Sequence, residues 1–256
     1  TRYFKNISQF LPFVSSTRFI VRSLNNFPSS AGIASSASSY GALALSLCAI
    51  EKEIYSLEET KEAFLRKASF LARLGSGSAS RSVYGGFVLW GRTPEIEQSG
   101  DEAAVPLLSE ISPVFQTLRD TILVVNSGAK KVSSSEGHKL MNSHPYKPAR
   151  IIQARANMRR IFEVLKTGNL SEFIELIENE ALTLHALMLS SNPGVILLKP
   201  ESLRIIEEIR DFRQESGLPV SFTLDAGPNV HVLYPAFCQD QIRDYISLKL
   251  MPMCEN

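Results

Sequence analysis

The length and charge of this chain exclude several classes of protein. Its 256 residues, 44% of them hydrophobic, can bury a good core in one domain or in two closely packed ones. The 27 lysines and arginines nearly balance the 26 aspartates and glutamates; the resulting net charge of +1 argues against a nucleic-acid-binding protein, which usually carries a basic excess. No apolar run reaches the roughly 18 residues of a membrane span, and three cysteines without metal-ligand spacing indicate reduced, structural thiols.

The first elements along the chain are a predicted strand, a loop of small residues and a helix. Residues 18–24 favour a strand, and residues 37–50, rich in Ala and Leu, favour a helix. Residues 26–39 lie between the strand and the helix and overlap the start of the helix. They are small and rich in hydroxyl groups, so a phosphate could approach the backbone amides there. This pattern predicts a nucleotide phosphate loop, although it is neither a Walker A loop nor a dinucleotide fingerprint. The alternative is a Ser/Ala-rich helix start that binds no ligand.

A second helix and a second loop follow. Residues 56–74 have helical spacing, and Ser56 with Glu59 fits a capping box. Residues 75–82 read Gly-Ser-Gly-Ser-Ala-Ser-Arg-Ser, in which the glycines permit close approach of a ligand. Arg81 could hold a phosphate or carboxylate through two hydrogen bonds. The alternative is a helix end and turn with a solvated arginine.

The middle of the chain combines short strands with three long helices. Strands are predicted over residues 82–90, 105–108 and 121–126, the last buried on both faces, and Trp90, the only tryptophan, is assigned to core packing. Ser133 and Glu136 fit a helix cap. Residues 148–167, 169–189 and 201–216 carry apolar stripes typical of helices packed on a sheet.

The histidines in this region lack metal-ligand spacing. His138 and His144 flank the helix expected after residue 133, and surface or supporting roles are favoured for both. His185 lies within the apolar stripe of the second long helix. We interpret it as a hydrogen-bonded, partly buried histidine rather than as a catalyst.

The last third of the chain presents an acidic turn. Strands are predicted over residues 220–224 and 231–234, with Asp225-Ala-Gly-Pro-Asn229 between them. A carboxylate in a Gly-Pro turn is displayed at the edge of a sheet rather than hidden in its face. An ordinary turn aspartate is the alternative. Residues 239–250 favour a final amphipathic helix, followed by a tail.

Three segments together resemble one family. Residues 28–36, Pro-Ser-Ser-Ala-Gly-Ile-Ala-Ser-Ser, resemble the phosphate loop of the GHMP kinase superfamily, with Ile33 where leucine is usual. Residues 75–82 and 222–229 resemble the signatures of the diphosphomevalonate decarboxylase family. The three segments occur in the right order, and the resemblance runs over nearly the whole chain.

The resemblance implies an α+β fold of the GHMP type. Residues 1–113 would form an ATP-binding part similar to the second domain of ribosomal protein S5, and residues 114–256 a C-terminal α/β-sandwich part. Members of the family place further strands and substrate-contacting residues before the first loop. We therefore expect an N-terminally truncated sequence.

The resemblance also implies a reaction and its residues. The reaction would be ATP-dependent decarboxylation of (R)-5-diphosphomevalonate to isopentenyl diphosphate, in isoprenoid and sterol biosynthesis, with ATP and Mg²⁺ required. Asp225 would be the catalytic carboxylate, and no protein ligand of the metal is assigned. Substrate binding is expected from Ser76, Gly77, Ser78, Ala79, Ser80, Arg81 and Ser135. ATP binding is expected from Asn26, Pro28, Ser29, Ser30, Ala31, Gly32, Ala34, Ser35 and Ser36.

Other functions stay open at this point. A mevalonate or phosphomevalonate kinase of the same superfamily would share the first loop but stop at the phosphorylated alcohol. A noncatalytic nucleotide-binding protein on this scaffold and a structural module rich in Ser and Ala are the further alternatives. The resemblance implies a homodimer, and we expect a cytoplasmic location with neither nucleic acid nor membrane as a partner.

Overall fold

The computed structural model describes residues 2–28, 33–107, 111–128, 137 and 139–255. The chain divides into two compact units, which are described separately below. Unit 1 consists of Thr1–Phe27 and Ala34–Ser109, and unit 2 of Pro28–Ile33 and Glu110–Asn256.

Unit 1 is mainly helical. Its helices are α1 (Arg2–Ile7), α2 (Phe13–Ser16), α3 (Ser35–Tyr55) and α4 (Lys61–Gly75). Helices α3 and α4 pack side by side because each has an apolar stripe, and their fully or almost fully buried residues include Ala44, Leu47, Ala68 and Leu71. Across this pair Lys67 forms an ion pair with the buried Glu51.

The capping box predicted at Ser56 and Glu59 is wrong. Helix α3 extends to Tyr55, and Ser56 ends it in the left-handed conformation, with φ of 50°. Helix α4 instead begins after Thr60, whose side chain accepts a hydrogen bond from the Ala63 amide. Ser56 therefore lies before the start of α4 and caps the end of α3 instead.

The strands of unit 1 are shorter than the sequence predicts. Strands β1 (Val88–Leu89) and β2 (Val105–Pro106) form an antiparallel pair, and the rest of residues 82–90 is turn and irregular chain. The strand predicted at residues 18–24 is also wrong. The segment includes Ile20, 89% exposed, and Leu24, 94% exposed, and no described strand pairs with it. A strand requires a hydrogen-bonded neighbour.

Unit 2 is built on an antiparallel sheet of β3 (Leu118–Leu123), β4 (Ser221–Leu224) and β5 (Val230–Pro235), in the order β3-β5-β4. In its register Leu224 and Leu123 both lie opposite Val230. Burial alternates along most of β5, and Ile122 of β3 is exposed. The prediction that this strand is buried on both faces is therefore wrong, because one face of this antiparallel sheet is covered and the other is not.

Unit 2 also has several helices, some of which pack directly on that sheet. They are α5 (Pro113–Gln116), α6 (Lys147–Thr167), α7 (Leu170–Leu189), α8 (Pro200–Ser216) and α9 (Gln239–Tyr245), and α9 continues into a π-helical turn at Ile246–Leu250. The starts and ends of α6, α7 and α8 lie within one residue of the prediction. Glu178 on α7 accepts hydrogen bonds from Arg213 and Arg210 on α8, at 2.6 Å and 3.2 Å, which ties these two helices together. Helix α7 also packs on β4.

No helix in the described ranges is both long and apolar enough to cross a membrane.

Candidate active site

The first predicted loop leads into helix α3. Asn26 is exposed and Pro28 half-buried, whereas Ser29, Ser30, Ala31 and Gly32 lie outside the described residues. Ala34 holds the left-handed conformation, with φ of 51°, immediately before the helix. Helix α3 has no acidic residue in its first turn, so the partial positive charge of its amino end is not offset there by a carboxylate. This end of the helix suits an anion such as a phosphate.

The second predicted loop lies beside that helix start. The hydroxyl oxygens of Ser36, in the first turn of α3, and Ser76, just after α4, are 3.4 Å apart. A Cβ atom added to Gly75 would lie 2.2 Å from the Tyr40 ring of α3, so glycine permits this close approach of the two helices. Unit 1 therefore brings Ser36, at the start of α3, next to Ser76 of the second predicted loop.

Buried hydrogen bonds fix the shape of the second loop. Gly77–Ser80 forms a 3₁₀ turn in which Ala79 and Ser80 are fully buried. The Ser80 hydroxyl donates to the Gly77 carbonyl at 2.8 Å, and the Ser80 carbonyl accepts from the buried Ser69 hydroxyl at 2.7 Å. The Ser69 oxygen in turn accepts from the Ala104 amide at 2.9 Å. Ser69 thus links α4, the loop and the segment leading into β2.

Trp90 packs against the same loop. A Cβ atom added to Gly77 would lie 2.6 Å from the indole ring, which shows how closely the ring covers this glycine. The indole nitrogen donates to the Asp101 carbonyl at 3.0 Å. Trp90 thus has a packing role, and the surface that its ring packs on is the candidate substrate loop.

Arg81 follows the turn and is exposed. Its backbone amide donates to the Ser78 carbonyl at 3.1 Å. No hydrogen bond or ion pair joins its guanidinium group to another residue in the described part of the chain. Its five N–H donors are thus directed to solvent, where an anionic ligand could bind them.

Unit 2 presents Asp225 in the turn between β4 and β5. The carboxylate is exposed, and its Oδ1 atom accepts from the Ala226 amide at 2.7 Å. The far end of the turn is anchored by Asn229, whose buried Oδ1 accepts from the amides of Val125 and Asn126 at 2.8 Å and 3.0 Å. This anchoring places the exposed Asp225 side chain on a turn whose backbone is held by hydrogen bonds.

Two further contacts hold this turn from below. The Ser202 hydroxyl, in the first turn of α8, donates to the Pro228 carbonyl at 2.6 Å. His185 on α7 is 3% exposed, and its Nε2 atom lies 3.2 Å from the Asp225 carbonyl. The sequence interpretation of His185 as buried and hydrogen-bonded is confirmed, but the sequence did not reveal that its partner is the candidate catalytic residue.

The other predicted site residues are less informative. Ser135, like Ser133, Glu136 and His138, lies outside the described residues. His144 is buried: its Nδ1 accepts from the Tyr146 amide at 3.1 Å, and its Nε2 lies 3.2 Å from the Ser190 hydroxyl. Among the described residues no three His, Cys, Asp or Glu side chains are grouped so that they could hold a metal ion.

Sequence reasoning missed Ser69 altogether and missed the partner of His185. Both are polar residues on otherwise apolar helix faces, beside buried neighbours such as Ala68 and Ala181. A polar group in such a position is costly unless it is hydrogen-bonded. That interruption of the apolar stripe was the available signal, although it does not identify the bonding partner.

The helices, the antiparallel sheet and the two loops define a GHMP-type α+β protein, and comparison with known proteins confirms this class. A family model described as the diphosphomevalonate decarboxylase-like N-terminal domain matches residues 1–101, and one described as the mevalonate 5-diphosphate decarboxylase C-terminal domain matches residues 121–253. The chain belongs to the diphosphomevalonate decarboxylase family.

Individual relatives agree with this assignment. The diphosphomevalonate decarboxylase of Ganoderma lucidum is 33% identical over 257 residues, covering 96% of this chain and 60% of the relative. The crystal structure of a mevalonate diphosphate decarboxylase from Legionella pneumophila matches with a TM-score of 0.81 and 28% identity, covering 99% of this chain and 75% of the other. The protein abbreviated MDDEF, in complex with MVAPP, AMPPCP and magnesium, matches with a TM-score of 0.77 and 28% identity over 99% and 74%. The chain thus spans about 60% of the length of the first of these relatives.

Proposed function

We propose that the protein catalyses the ATP-dependent decarboxylation of (R)-5-diphosphomevalonate to isopentenyl diphosphate. The observation that carries the proposal is the exposed Asp225 carboxylate on a turn whose backbone is anchored by Asn229, Ser202 and His185. Membership of the decarboxylase family supports the same reaction. The magnesium complex of the structural relative supports ATP and Mg²⁺ as requirements.

The chemistry explains why ATP is needed. A 3-hydroxy acid loses carbon dioxide slowly because hydroxide is a poor leaving group. The γ-phosphoryl group of ATP therefore moves to the tertiary hydroxyl oxygen, while the hydroxyl proton passes to Asp225. The C–O bond then breaks and phosphate leaves with the electron pair. The bond to the carboxylate breaks next, and its electrons form the new double bond as carbon dioxide departs.

The two predicted loops would bind and orient the two substrates. Phosphoryl transfer depends mainly on positioning and charge neutralisation. The amino end of α3, with Ser35, Ser36 and the loop before it, would hold the ATP phosphates. The loop from Ser76 to Arg81 would bind the diphosphate of the second substrate. Since Ala79 and Ser80 are fully buried and the Ala79 amide already donates to the Ser76 carbonyl, we expect these two residues to hold the shape of the loop that presents its neighbours to the substrate.

Asp225 would act on the 3-hydroxyl group. A positioned general base typically contributes about 10²–10⁴-fold in rate. Its negative charge would also favour the positive charge that develops on the tertiary carbon. Magnesium would supply positive charge that neutralises the transferring phosphoryl group. Ser135 remains a proposed substrate ligand.

The organisation of the chain is part of the same proposal. Residues 1–113 would supply ATP binding and residues 114–256 the catalytic carboxylate. A homodimer is proposed on the family resemblance alone, and a cytoplasmic location on the reduced thiols that the three cysteines indicate. Multi-angle light scattering of the purified protein tests the dimer, and a monomer at all concentrations would refute it.

The test of the reaction is its stoichiometry. The protein as it is encoded, with any residues that flank these 256, is incubated with ATP, Mg²⁺ and diphosphomevalonate, and ADP and carbon dioxide are followed together. We expect one carbon dioxide for each ADP. Release of ADP without carbon dioxide would make the protein a kinase, and ATP binding without either product would make it a noncatalytic nucleotide-binding protein.

A further inference from the structure

The peptide unit between Asp225 and Ala226 has both of its polar groups hydrogen-bonded. Its carbonyl accepts from His185 Nε2 at 3.2 Å and from the Gly227 amide at 2.7 Å. Its N–H donates to the Asp225 carboxylate at 2.7 Å. In a trans peptide the C=O and N–H point in opposite directions within one plane. Whatever fixes the carbonyl therefore also fixes the direction in which the N–H meets the carboxylate.

His185 is the contact to this peptide unit that comes from another element of the fold. It lies on α7, which packs on β4, and it is 3% exposed. A carbonyl oxygen can only accept, so the hydrogen of the ring must be on Nε2. Burial lowers the pKa of His185 because it disfavours the charged imidazolium, an effect that outweighs the opposite influence of the bond to Asp225 and of its charge. The ring is thus a neutral donor in one tautomer.

The position is otherwise suited to an apolar residue. Ala181 and Met188, one turn before and after His185 on the same helix, are buried. A buried polar ring is costly unless its hydrogen bond compensates for the lost water. The hydrogen bond observed for this ring goes to the Asp225 carbonyl.

We propose that His185 is a positioning residue for Asp225: it holds the peptide unit after Asp225 so that the Ala226 amide keeps the carboxylate in its reactive direction. This role rests on the proposed function, in which Asp225 is the catalytic base. His185 itself touches neither substrate nor the reacting atoms in this account. It acts on the rate through the backbone of the neighbouring turn.

Two substitutions at His185 separate the effect of its hydrogen bond from the effect of its volume. His185→Leu fills the space but has no donor, whereas the side-chain amide of His185→Gln can donate to the same carbonyl. We expect kcat to fall about 10- to 100-fold in His185→Leu, because small misplacements of a catalytic group cost rate of this order. The KM for ATP should stay within about twofold, and His185→Gln should recover kcat to within about threefold of wild type.

A second buried histidine in unit 2 provides the matched control. His144 is also buried and hydrogen-bonded, but its described partners are Tyr146 and Ser190 rather than the turn. His144→Leu therefore removes a comparable buried ring and should leave kcat within about twofold at a temperature where all variants are folded. Three results would overturn the proposal: wild-type kcat in His185→Leu, no recovery in His185→Gln, or an equal loss in His144→Leu.

Amide hydrogen exchange tests the role of His185 without requiring that the protein turn over substrate. Amide hydrogen exchange over residues 225–229 is measured by mass spectrometry in the wild type and in the three variants. We expect faster exchange in His185→Leu alone. If the wild type releases no carbon dioxide, the decarboxylase proposal fails; unchanged exchange in His185→Leu would instead refute the role of His185.

Discussion

Removal of the Ser69 hydroxyl tests whether the candidate substrate loop is held by the buried hydrogen bonds described above. In Ser69→Ala the Ser80 carbonyl loses its donor at 2.7 Å, and the Ala104 amide loses its acceptor at 2.9 Å. The site is fully buried, so water cannot replace the hydroxyl without a rearrangement. An unsatisfied buried polar group costs about 1–3 kcal/mol. Alanine returns a few tenths of a kcal/mol through its higher helix propensity. The two groups together therefore cost about 2–6 kcal/mol, and we expect a net loss of about 1.5–5.5 kcal/mol in the free energy of unfolding.

The assay is urea unfolding followed by the fluorescence of Trp90, the single tryptophan, which packs on the same loop. Ser46→Ala is the matched control, because Ser46 is exposed and its hydroxyl donates within α3 to the Ala42 carbonyl at 2.9 Å. Its stability should change by no more than about 0.5 kcal/mol. If Ser69→Ala lost no more stability than Ser46→Ala, the buried bonds of Ser69 would not be holding the loop.

Two further predictions concern the loop and the turn. Gly77→Ala places a Cβ atom 2.6 Å from the Trp90 ring, so it should cost about 1–3 kcal/mol of stability and weaken diphosphomevalonate binding. Gly85→Ala is the control, because no atom lies within 4 Å of its added Cβ. Equal urea midpoints for the two variants would contradict the prediction. Because the pKa of His185 is lowered in the folded state, the unfolded chain binds the extra proton first, and stability should fall as pH drops below about 6.5, the ordinary histidine value. The loss of stability between pH 7 and pH 5 should be smaller in His185→Gln than in the wild type. The same change in thermal unfolding with pH in both proteins would contradict this prediction.

The long helices were predictable because their signals are local. Helices α6 and α8 end at Gly168 and Gly217, which take the left-handed conformation that favours glycine. Their apolar stripes repeat over four or more turns, so their bounds follow from nearby residues. Ser56 failed as a cap because its role depends on where the preceding helix ends, which the capping pattern alone does not encode.

The strands were harder to predict because pairing is not local. Residues 18–24 have the composition of a strand but find no partner among the described strands, and residues 82–90 form only a two-residue strand. In contrast, the two strands around Asp225 were predicted well because they pair with each other across a short turn.

The three candidate loop segments could be located from the sequence through their resemblance to a family. The bonds that hold them could not. Ser69 meets the loop 11 residues along the chain, and His185 meets Asp225 across 40 residues. Contacts of this kind depend on how helices pack. Their only signal in the sequence is a polar residue within an apolar stripe.

The most direct test of the central claim is the turnover of Asp225→Asn, measured as carbon dioxide release with saturating ATP, Mg²⁺ and diphosphomevalonate. Asparagine keeps the shape of the side chain but removes its charge and its ability to accept the substrate proton. If Asp225 is the general base, the rate should be lower by about 10²–10⁴-fold, and ATP affinity should stay within about twofold of wild type. Release of carbon dioxide at the wild-type rate would remove Asp225 from the mechanism and contradict the account.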